Sequence, residues 1–147
     1  MKKIVDNLYL GDRHSAPETS KLIISCAEEI FNEQNSGETS HFQKDEIHHY
    51  FNFEDYPKEE GISKSTLSEV ISLMERNIPN QEVYVHCIWG VNRSASIVFM
   101  YLVKNKKIPA TSFKAAQKAF QKIYPKFSPN PGWQLFLINN FPYNNLV

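Results

Sequence analysis

The segment that follows Val85 carries residue types suited to phosphoryl transfer. It reads His86-Cys87-Ile88-Trp89-Gly90-Val91-Asn92-Arg93-Ser94. A cysteine thiolate is a strong nucleophile, and a guanidinium can grip two oxygens of one phosphate. Arg93 lies six residues after Cys87, a spacing that lets a short loop bring both groups to one anion. The spacing therefore predicts a phosphate site with Cys87 as the nucleophile.

The elements on either side of this segment favour the same chemistry. Glu82–His86 is predicted to be a strand, and Ser94 to Val103, apolar nearly all round, a buried helix. A loop between them directs its amides and the helix N-terminus into one small volume that suits an anion. A thiolate held there is stabilised, so we expect the pKa of Cys87 to fall.

Each remaining position of the segment has an expected task. Gly90 allows the backbone to turn its amides inward. Ser94 places a hydroxyl where it can stabilise the thiolate as a leaving group. His86 is expected to support the loop from behind, by holding the backbone of Cys87. The residues expected to surround the bound phosphate are Ile88, Trp89, Gly90, Val91, Asn92 and Arg93.

The reaction also needs an acid that protonates the leaving oxygen. Asp55, in Phe53-Glu54-Asp55-Tyr56-Pro57, follows a predicted strand. Strand ends along one edge of a parallel sheet share a crevice, so Asp55 is the preferred candidate. Its competitors are Glu54, Glu59 and Glu60.

Strand and helix patterns alternate along the chain. Further strands are predicted at Asn7–Gly11, Lys21–Cys26 and Ile47–Phe53, and helices at Ser63–Asn77, around Phe113–Ile123 and from Asn130-Pro131. The polar stretch Asn32 to Lys44 is expected to be a long surface loop. With no obvious hairpin, the pattern predicts one domain over residues 1–147, a three-layer α/β fold with a mostly parallel central sheet flanked by helices.

Composition narrows the function classes. Sixteen basic and 16 acidic residues give a net charge near zero, which argues against a protein that mainly coats nucleic acid or an acidic membrane. Two cysteines are too few for a disulfide scaffold. Neither a signal peptide nor an apolar membrane span is evident, so the expected compartment is the reducing cytoplasm.

The pattern His-Cys-x-x-Gly-x-x-Arg-Ser resembles the signature of the protein tyrosine phosphatase superfamily, and the rest of the chain resembles its small dual-specificity branch. Asn7-Leu8-Tyr9-Leu10-Gly11 resembles the opening motif of that branch, and Ser128-Pro129-Asn130-Pro131-Gly132-Trp133 a segment near its end. Asp55 precedes Cys87 by 32 residues, as suits the general acid of this branch. Val91-Asn92-Arg93-Ser94 is similar to the loop of poxvirus-type members. Trp89 departs from the small or polar residue more usual at its position.

The resemblance implies a phosphocysteine mechanism with no metal or cofactor. Cys87 would attack phosphorus, Asp55 would act first as acid and then as base, and Arg93 would hold the phosphoryl oxygens. The resemblance also suggests that Asn130, a helix cap by pattern, braces the phosphate loop. Cys26 resembles a second cysteine of tensin-like lipid phosphatases that can form a disulfide with the nucleophile; the alternative is a small core residue.

The expected substrate is a protein phosphorylated on tyrosine, serine or threonine. So short a chain lacks the extra segments that deepen the pocket in phosphotyrosine-only enzymes of the superfamily that it resembles, and a shallow pocket can accept all three phosphoresidues. Two alternatives stay open: an RNA 5′-phosphatase of the same superfamily, and a catalytically weak adaptor that binds phosphopeptides. Neutral loop positions disfavour lipid substrates. The lysines of the C-terminal half are expected to form a solvated surface, and the sequence does not determine the oligomeric state. His48 and His49, adjacent in a strand, point to opposite faces and are not expected to share a metal ion.

Overall fold

The computed structural model describes residues 1–34 and 37–146. The strands are β1 Lys2–Val5, β2 Leu8–Gly11, β3 Leu22–Ser25, β4 His41–Gln43, β5 His48–Phe51 and β6 Val83–His86. The helices are α1 Glu28–Gln34, α2 Lys64–Asn77, α3 Arg93–Lys104, α4 Phe113–Ile123 and α5 Pro131–Asn139, with a short 3-10 helix at Glu59–Gly61. In these described ranges no helix is long and apolar enough to cross a membrane.

The six strands form one sheet in the order β1-β2-β6-β3-β5-β4. The four inner strands are parallel, and β1 and β4 pair antiparallel with β2 and β5 at the two edges. Strand β6 therefore lies inside the sheet between β2 and β3. The loop after it opens at the carboxyl edge, where parallel α/β sheets bind ligands.

Alternate side chains of the sheet enter two apolar layers. Leu10, Ile24 and Val85 face the large core that α2 and α3 complete. On the other face, α1 packs Ile30 and Phe31 into a small cluster that also contains Cys87. Helices thus cover both faces, and the prediction of a three-layer α/β fold with a mostly parallel sheet is confirmed.

Two sequence expectations were wrong in detail. The edge pairs β1–β2 and β4–β5 are hairpins, where none was expected. Asn7 closes the first hairpin with a φ of 66°, a conformation that asparagine tolerates. In the second turn, Asp45 Oδ1 accepts from the amides of Ile47 and His48, both at 2.8 Å, so a side chain closes the turn without glycine.

The stretch Asn32 to Lys44 is likewise more ordered than a long loop. Helix α1 extends to Gln34, and β4 occupies His41–Gln43. Residues 35 and 36 lie outside the described residues. The aromatic Phe42 stacks on Tyr50 of β5, with ring centroids 5.2 Å apart, and this cross-strand contact outweighs the polar composition of the segment.

Candidate active site

The phosphate loop, residues 87–92, connects β6 directly to α3. Cys87 is 3% exposed at the start of the loop, and Ser94 Oγ donates a hydrogen bond to Cys87 Sγ at 3.1 Å. Asn92 is the N-cap of α3 but forms no side-chain capping bond, so the first amides of the helix keep their hydrogen-bonding capacity. The positive end of α3 therefore adjoins the sulfur, as an anion site requires.

Gly90 is the one loop position where the backbone demands glycine. Its φ is 74°, and a Cβ there would lie 2.6 Å from the carbonyl carbon of Gly11. The Tyr124 hydroxyl donates to the Gly90 carbonyl at 2.7 Å. The turn of the phosphate loop is consequently fixed from two sides, by the end of β2 and by the residue that follows α4.

Arg93 is buried, and its guanidinium is partly occupied. Nη1 donates to Glu29 Oε1 at 2.5 Å and to the Phe53 carbonyl at 3.0 Å, while Nη2 donates to Glu29 Oε2 at 3.1 Å. Among the described residues, Nε has no hydrogen-bond partner and Nη2 donates to only one acceptor. These two neighbouring N–H groups form the edge that can bind two phosphate oxygens.

The Glu29–Arg93 pair also favours the charged form of both groups. Burial works against the charged guanidinium, but hydrogen bonding to Glu29 and the nearby Cys87 and Asp55 charges more than offset it, so the pKa of Arg93 is raised. Hydrogen bonding from Arg93 lowers the pKa of Glu29. Arg93 is therefore a permanent cation beside the sulfur.

Asp55 lies in the same cleft, held by amide side chains. Asn92 Nδ2 donates to Asp55 Oδ1 and to its carbonyl, both at 2.8 Å, and Asn130 Nδ2 donates to the same carbonyl at 2.7 Å. Asp55 Oδ1 is 3.5 Å from Arg93 Nε. The carboxylate is thus positioned next to the free edge of the guanidinium.

Helix α5 holds the segment that carries Asp55. A Cβ on Gly132 would lie 2.0 Å from the Pro57 carbonyl oxygen, so glycine permits the close approach. Trp133 Nε1 donates to the Glu54 carbonyl at 2.9 Å. Asn130 is the N-cap of α5 by position, but its side chain bonds to Asp55 and not to the helix. The backbone N–H of Asn130 donates to Asn92 Oδ1 at 2.7 Å.

His86, predicted to support the loop, and Cys26, predicted as a disulfide partner of Cys87 or a small core residue, both lie behind the loop. His86 Nδ1 is 2.9 Å from the Cys87 carbonyl oxygen, and burial lowers the pKa of this imidazole. The amide of Cys26 donates to the His86 carbonyl at 2.8 Å, which places Cys26 beside the start of the loop. Cys26 is fully buried, and burial, with the nearby Cys87 charge, raises the pKa of its thiol.

Together these groups surround a cleft of about 280 Å³. Cys87 lies at its base, and two aromatic side chains form its rim: Tyr56 is 76% exposed and Trp89 75% exposed. The full lining is Glu29, Asp55, Tyr56, Cys87, Ile88, Trp89, Val91, Asn92, Arg93, Ser128 and Asn130. The competing acids Glu54, Glu59 and Glu60 do not line it.

Sequence reasoning missed three features of this site. Glu29 was not predicted, although the acidic pair Glu28-Glu29 directly follows a strand, and that was the available signal. Tyr56, next to Asp55 in the sequence, was not predicted to line the cleft. The bonds of the Asn92 side chain to Asp55 and Asn130 were not predicted either, and contact of Asn92 with phosphate stays a prediction.

A buried cysteine at the base of a strand–loop–helix anion site, beside an arginine and a carboxylate, defines the class of cysteine-dependent phosphatases. Residues 8–141 match the family model described as dual specificity phosphatase, catalytic domain. The chain belongs to this family and is a protein-tyrosine/dual-specificity phosphatase.

Among curated relatives, the chain is 32% identical over 140 residues to a putative tyrosine phosphatase, 123R, of Invertebrate iridescent virus 6, covering 89% of this chain and 84% of that protein. It is 28% identical to the dual specificity protein phosphatase PHS1 of Arabidopsis thaliana over 92% of this chain, which spans 14% of that longer protein.

Solved structures share the fold. DUSP15 superposes with a TM-score of 0.73 at 21% identity, over 99% of this chain and 91% of that one. The human tyrosine phosphatase-like serine/threonine/tyrosine-interacting protein gives a TM-score of 0.72 at 18% identity, over 100% and 98% of the two chains.

Proposed function

We propose that this protein hydrolyses phosphate monoesters on phosphorylated proteins through a phosphocysteine intermediate at Cys87. The observation that carries the proposal is that the Cys87 sulfur, which accepts a hydrogen bond from the Ser94 hydroxyl at 3.1 Å, shares one cleft with Arg93. A nucleophile, its thiolate-stabilising donor and a phosphate-binding cation are the parts that phosphoryl transfer needs.

In the first step, Cys87 Sγ attacks phosphorus as the bond to the leaving oxygen breaks. Arg93 Nε and Nη2, with the loop amides, stabilise the charge on the equatorial oxygens. Asp55 gives its proton to the leaving oxygen. Asn92 and Asn130 hold the Asp55 segment for this task, since they bond to its carboxylate and its carbonyl.

In the second step, water attacks the phosphocysteine and the thiolate departs. Asp55, now ionised, accepts a proton from this water. The Ser94 hydroxyl donates to the departing sulfur, so the negative charge on Cys87 does not develop in an apolar site without a partner. Inorganic phosphate then leaves and Asp55 is again protonated for the next turnover.

The proposed substrates are phosphotyrosine and phosphoserine or phosphothreonine residues. The support is the family to which the chain belongs and the open rim of the cleft, where Tyr56 and Trp89 present aromatic faces to an incoming residue. Aromatic faces suit a phosphotyrosine ring and leave room for smaller phosphoresidues.

The decisive experiment compares the unmodified protein with Cys87→Ser on p-nitrophenyl phosphate between about pH 5 and pH 8. Turnover that depends on Cys87 supports the chemistry, and its absence would favour a phosphopeptide-binding adaptor. Phosphopeptides are then compared with 5′-triphosphate RNA. Faster release of phosphate from RNA would overturn the protein-substrate assignment while leaving the phosphocysteine chemistry in place.

A further inference from the structure

Trp89 separates two clefts. The first contains Cys87, and the second, about 220 Å³ in volume, is also bordered by Trp89. In the part of the chain that the structure describes, Trp89 is the single lining residue that the two clefts share. We call the second one the Trp89 cleft; its lining is Met1, Lys2, Gly11, Asp12, Trp89, Tyr124, Pro125 and Lys126.

The Trp89 cleft is built onto the back of the phosphate loop. Tyr124, in its wall, donates to the Gly90 carbonyl at 2.7 Å. Gly90 in turn packs so closely on Gly11, another lining residue, that no Cβ would fit between them. The Tyr84 hydroxyl fixes the next residue, Asp12, by donating to its carbonyl. The cleft therefore has a constant position relative to Cys87.

The walls of this cleft are mainly apolar. The Trp89 indole and the Pro125 ring are exposed, and lysine side chains at the edge can extend their ammonium groups into water while their alkyl stems line the surface. The one carboxylate, Asp12, already accepts from the His14 amide at 2.9 Å and from Ser15 Oγ at 2.7 Å. A largely exposed tryptophan beside an apolar concavity is typical of a binding surface, because covering it removes apolar area from water.

We propose that the Trp89 cleft binds a large apolar side chain next to the phosphorylated residue of a protein substrate. This inference rests on the proposed function, because the phosphoresidue must occupy the Cys87 cleft. A chain crossing the Trp89 indole would place one side chain on each flank. Burial of the neighbouring apolar side chain adds affinity, whereas a glycine there leaves the indole in water.

The test uses Cys87→Ser, which binds without turnover, and phosphotyrosine peptides in which each flanking position in turn carries Leu, Gly or Glu. Binding is followed by tryptophan fluorescence. Trp133 is fully buried, so the change in emission reports Trp89, and a Trp89→Phe background checks this. At one flanking position we expect Leu to bind about tenfold more tightly than Gly, the scale of one buried aliphatic group.

A matched pair of variants locates the effect. Pro125→Asp places a carboxylate in the Trp89 cleft and should reduce the Leu-to-Gly affinity ratio to about one. Pro109→Asp changes a proline that is also exposed but lines neither cleft, and it should keep the ratio.

Equal affinity for Leu and Gly peptides at every flanking position would overturn the inference. So would tighter binding of the Glu peptides, which would make the cleft an anion subsite, or a Leu preference that survives Pro125→Asp. Failure of the proposed function is a separate outcome, because it is shown by the unmodified protein lacking turnover of p-nitrophenyl phosphate. The affinity ratio in Cys87→Ser does not depend on that turnover.

Discussion

Glu29 and Arg93 form a two-point ion pair in the wall of the cleft that contains Cys87, with Nη1–Oε1 and Nη2–Oε2 distances of 2.5 and 3.1 Å. The pair consumes one edge of the guanidinium and leaves Nε and the second Nη2 hydrogen facing the cleft. Without the Glu29 carboxylate, the Arg93 guanidinium could rotate away from the phosphate-binding orientation. Glu29 therefore acts on phosphate binding through the orientation of Arg93.

Replacing Glu29 by glutamine should lower kcat/KM for p-nitrophenyl phosphate about tenfold or more, because the amide keeps the shape but loses the charge that holds Arg93. The exposed side chain limits the effect on stability. Since the folded-state pKa of Glu29 is lowered from 4.5, its stabilising contribution is present above about pH 4.5 and disappears as the pH falls through the lowered value. Urea unfolding should show the difference between the two proteins at pH 7 and lose it in acid.

Glu28→Gln is the matched control. It removes the neighbouring carboxylate, whereas the carboxylate that Arg93 bonds to is that of Glu29. It should leave kcat/KM within about twofold. Equal losses in both variants would mean that the general acidity of this helix end matters, and not the ion pair.

The part of the site that the sequence alone can predict is contiguous along the chain. Cys87, Arg93 and Ser94 lie within one loop and helix start, so their spacing alone places them around one anion. In the structure Ser94 Oγ donates to Cys87 Sγ at 3.1 Å, a contact within this contiguous segment.

The parts that escaped prediction depend on contacts between distant segments. Glu29 meets Arg93 across 64 positions, and only the pairing of β3 with β6 brings them together. The hairpins escaped because Asn7 and Asp45 close turns with conformations or side-chain bonds that apolar periodicity does not reveal.

Ser94→Ala should slow the second chemical step more than the first. The Ser94 hydroxyl donates to Cys87 Sγ at 3.1 Å, and without it the departing thiolate lacks a donor. In rapid mixing with p-nitrophenyl phosphate, we expect a burst of about one nitrophenol per protein and a steady rate at least about tenfold lower. Ser96→Ala, at a fully buried serine of the same helix whose hydroxyl has no partner, should change neither phase. A uniform slowing of both phases in Ser94→Ala would contradict the assignment.

Asp55→Asn should remove proton donation while keeping the bonds to Asn92 and Asn130 largely in place. The rate of hydrolysis should fall by about 10²–10⁴ for an alkyl phosphate, whose leaving group needs a proton, and far less for an aryl phosphate with a good leaving group. Measurement of kcat against leaving-group pKa would show the steeper dependence. Glu54→Gln, one residue earlier and exposed, should retain the behaviour of the unmodified protein. If Glu54→Gln gives the steeper dependence instead, the acid is Glu54.

Mild peroxide should link Cys26 to Cys87. Peroxide oxidises the Cys87 thiolate to a sulfenic acid, and the Cys26 thiolate then displaces hydroxide from that sulfur to form the disulfide. Burial raises the pKa of Cys26, so linkage should be slow at neutral pH and faster as the pH rises. Peptide mapping would detect the crosslink, and dithiothreitol should restore activity. In Cys26→Ala the same treatment should lead to irreversible oxidation of Cys87; recovery of that variant, or only overoxidised Cys87 in the unmodified protein, would refute a protective role.

His49 should make the fold sensitive to moderate acid. Its ring nitrogen Nδ1 is 3.0 Å from Nε2 of His41, and burial, with the charges of His41 and Arg76, lowers its pKa from 6.5 to about 4. Between these values the unfolded chain binds a proton that the folded protein does not, so the free energy of unfolding is highest above pH 6.5 and declines as the pH falls towards 4. Urea unfolding of His49→Gln should show a smaller loss over that range, whereas His14→Gln, at an exposed histidine, should follow the unmodified protein. Identical pH profiles for all three would show that His49 titrates normally in the fold.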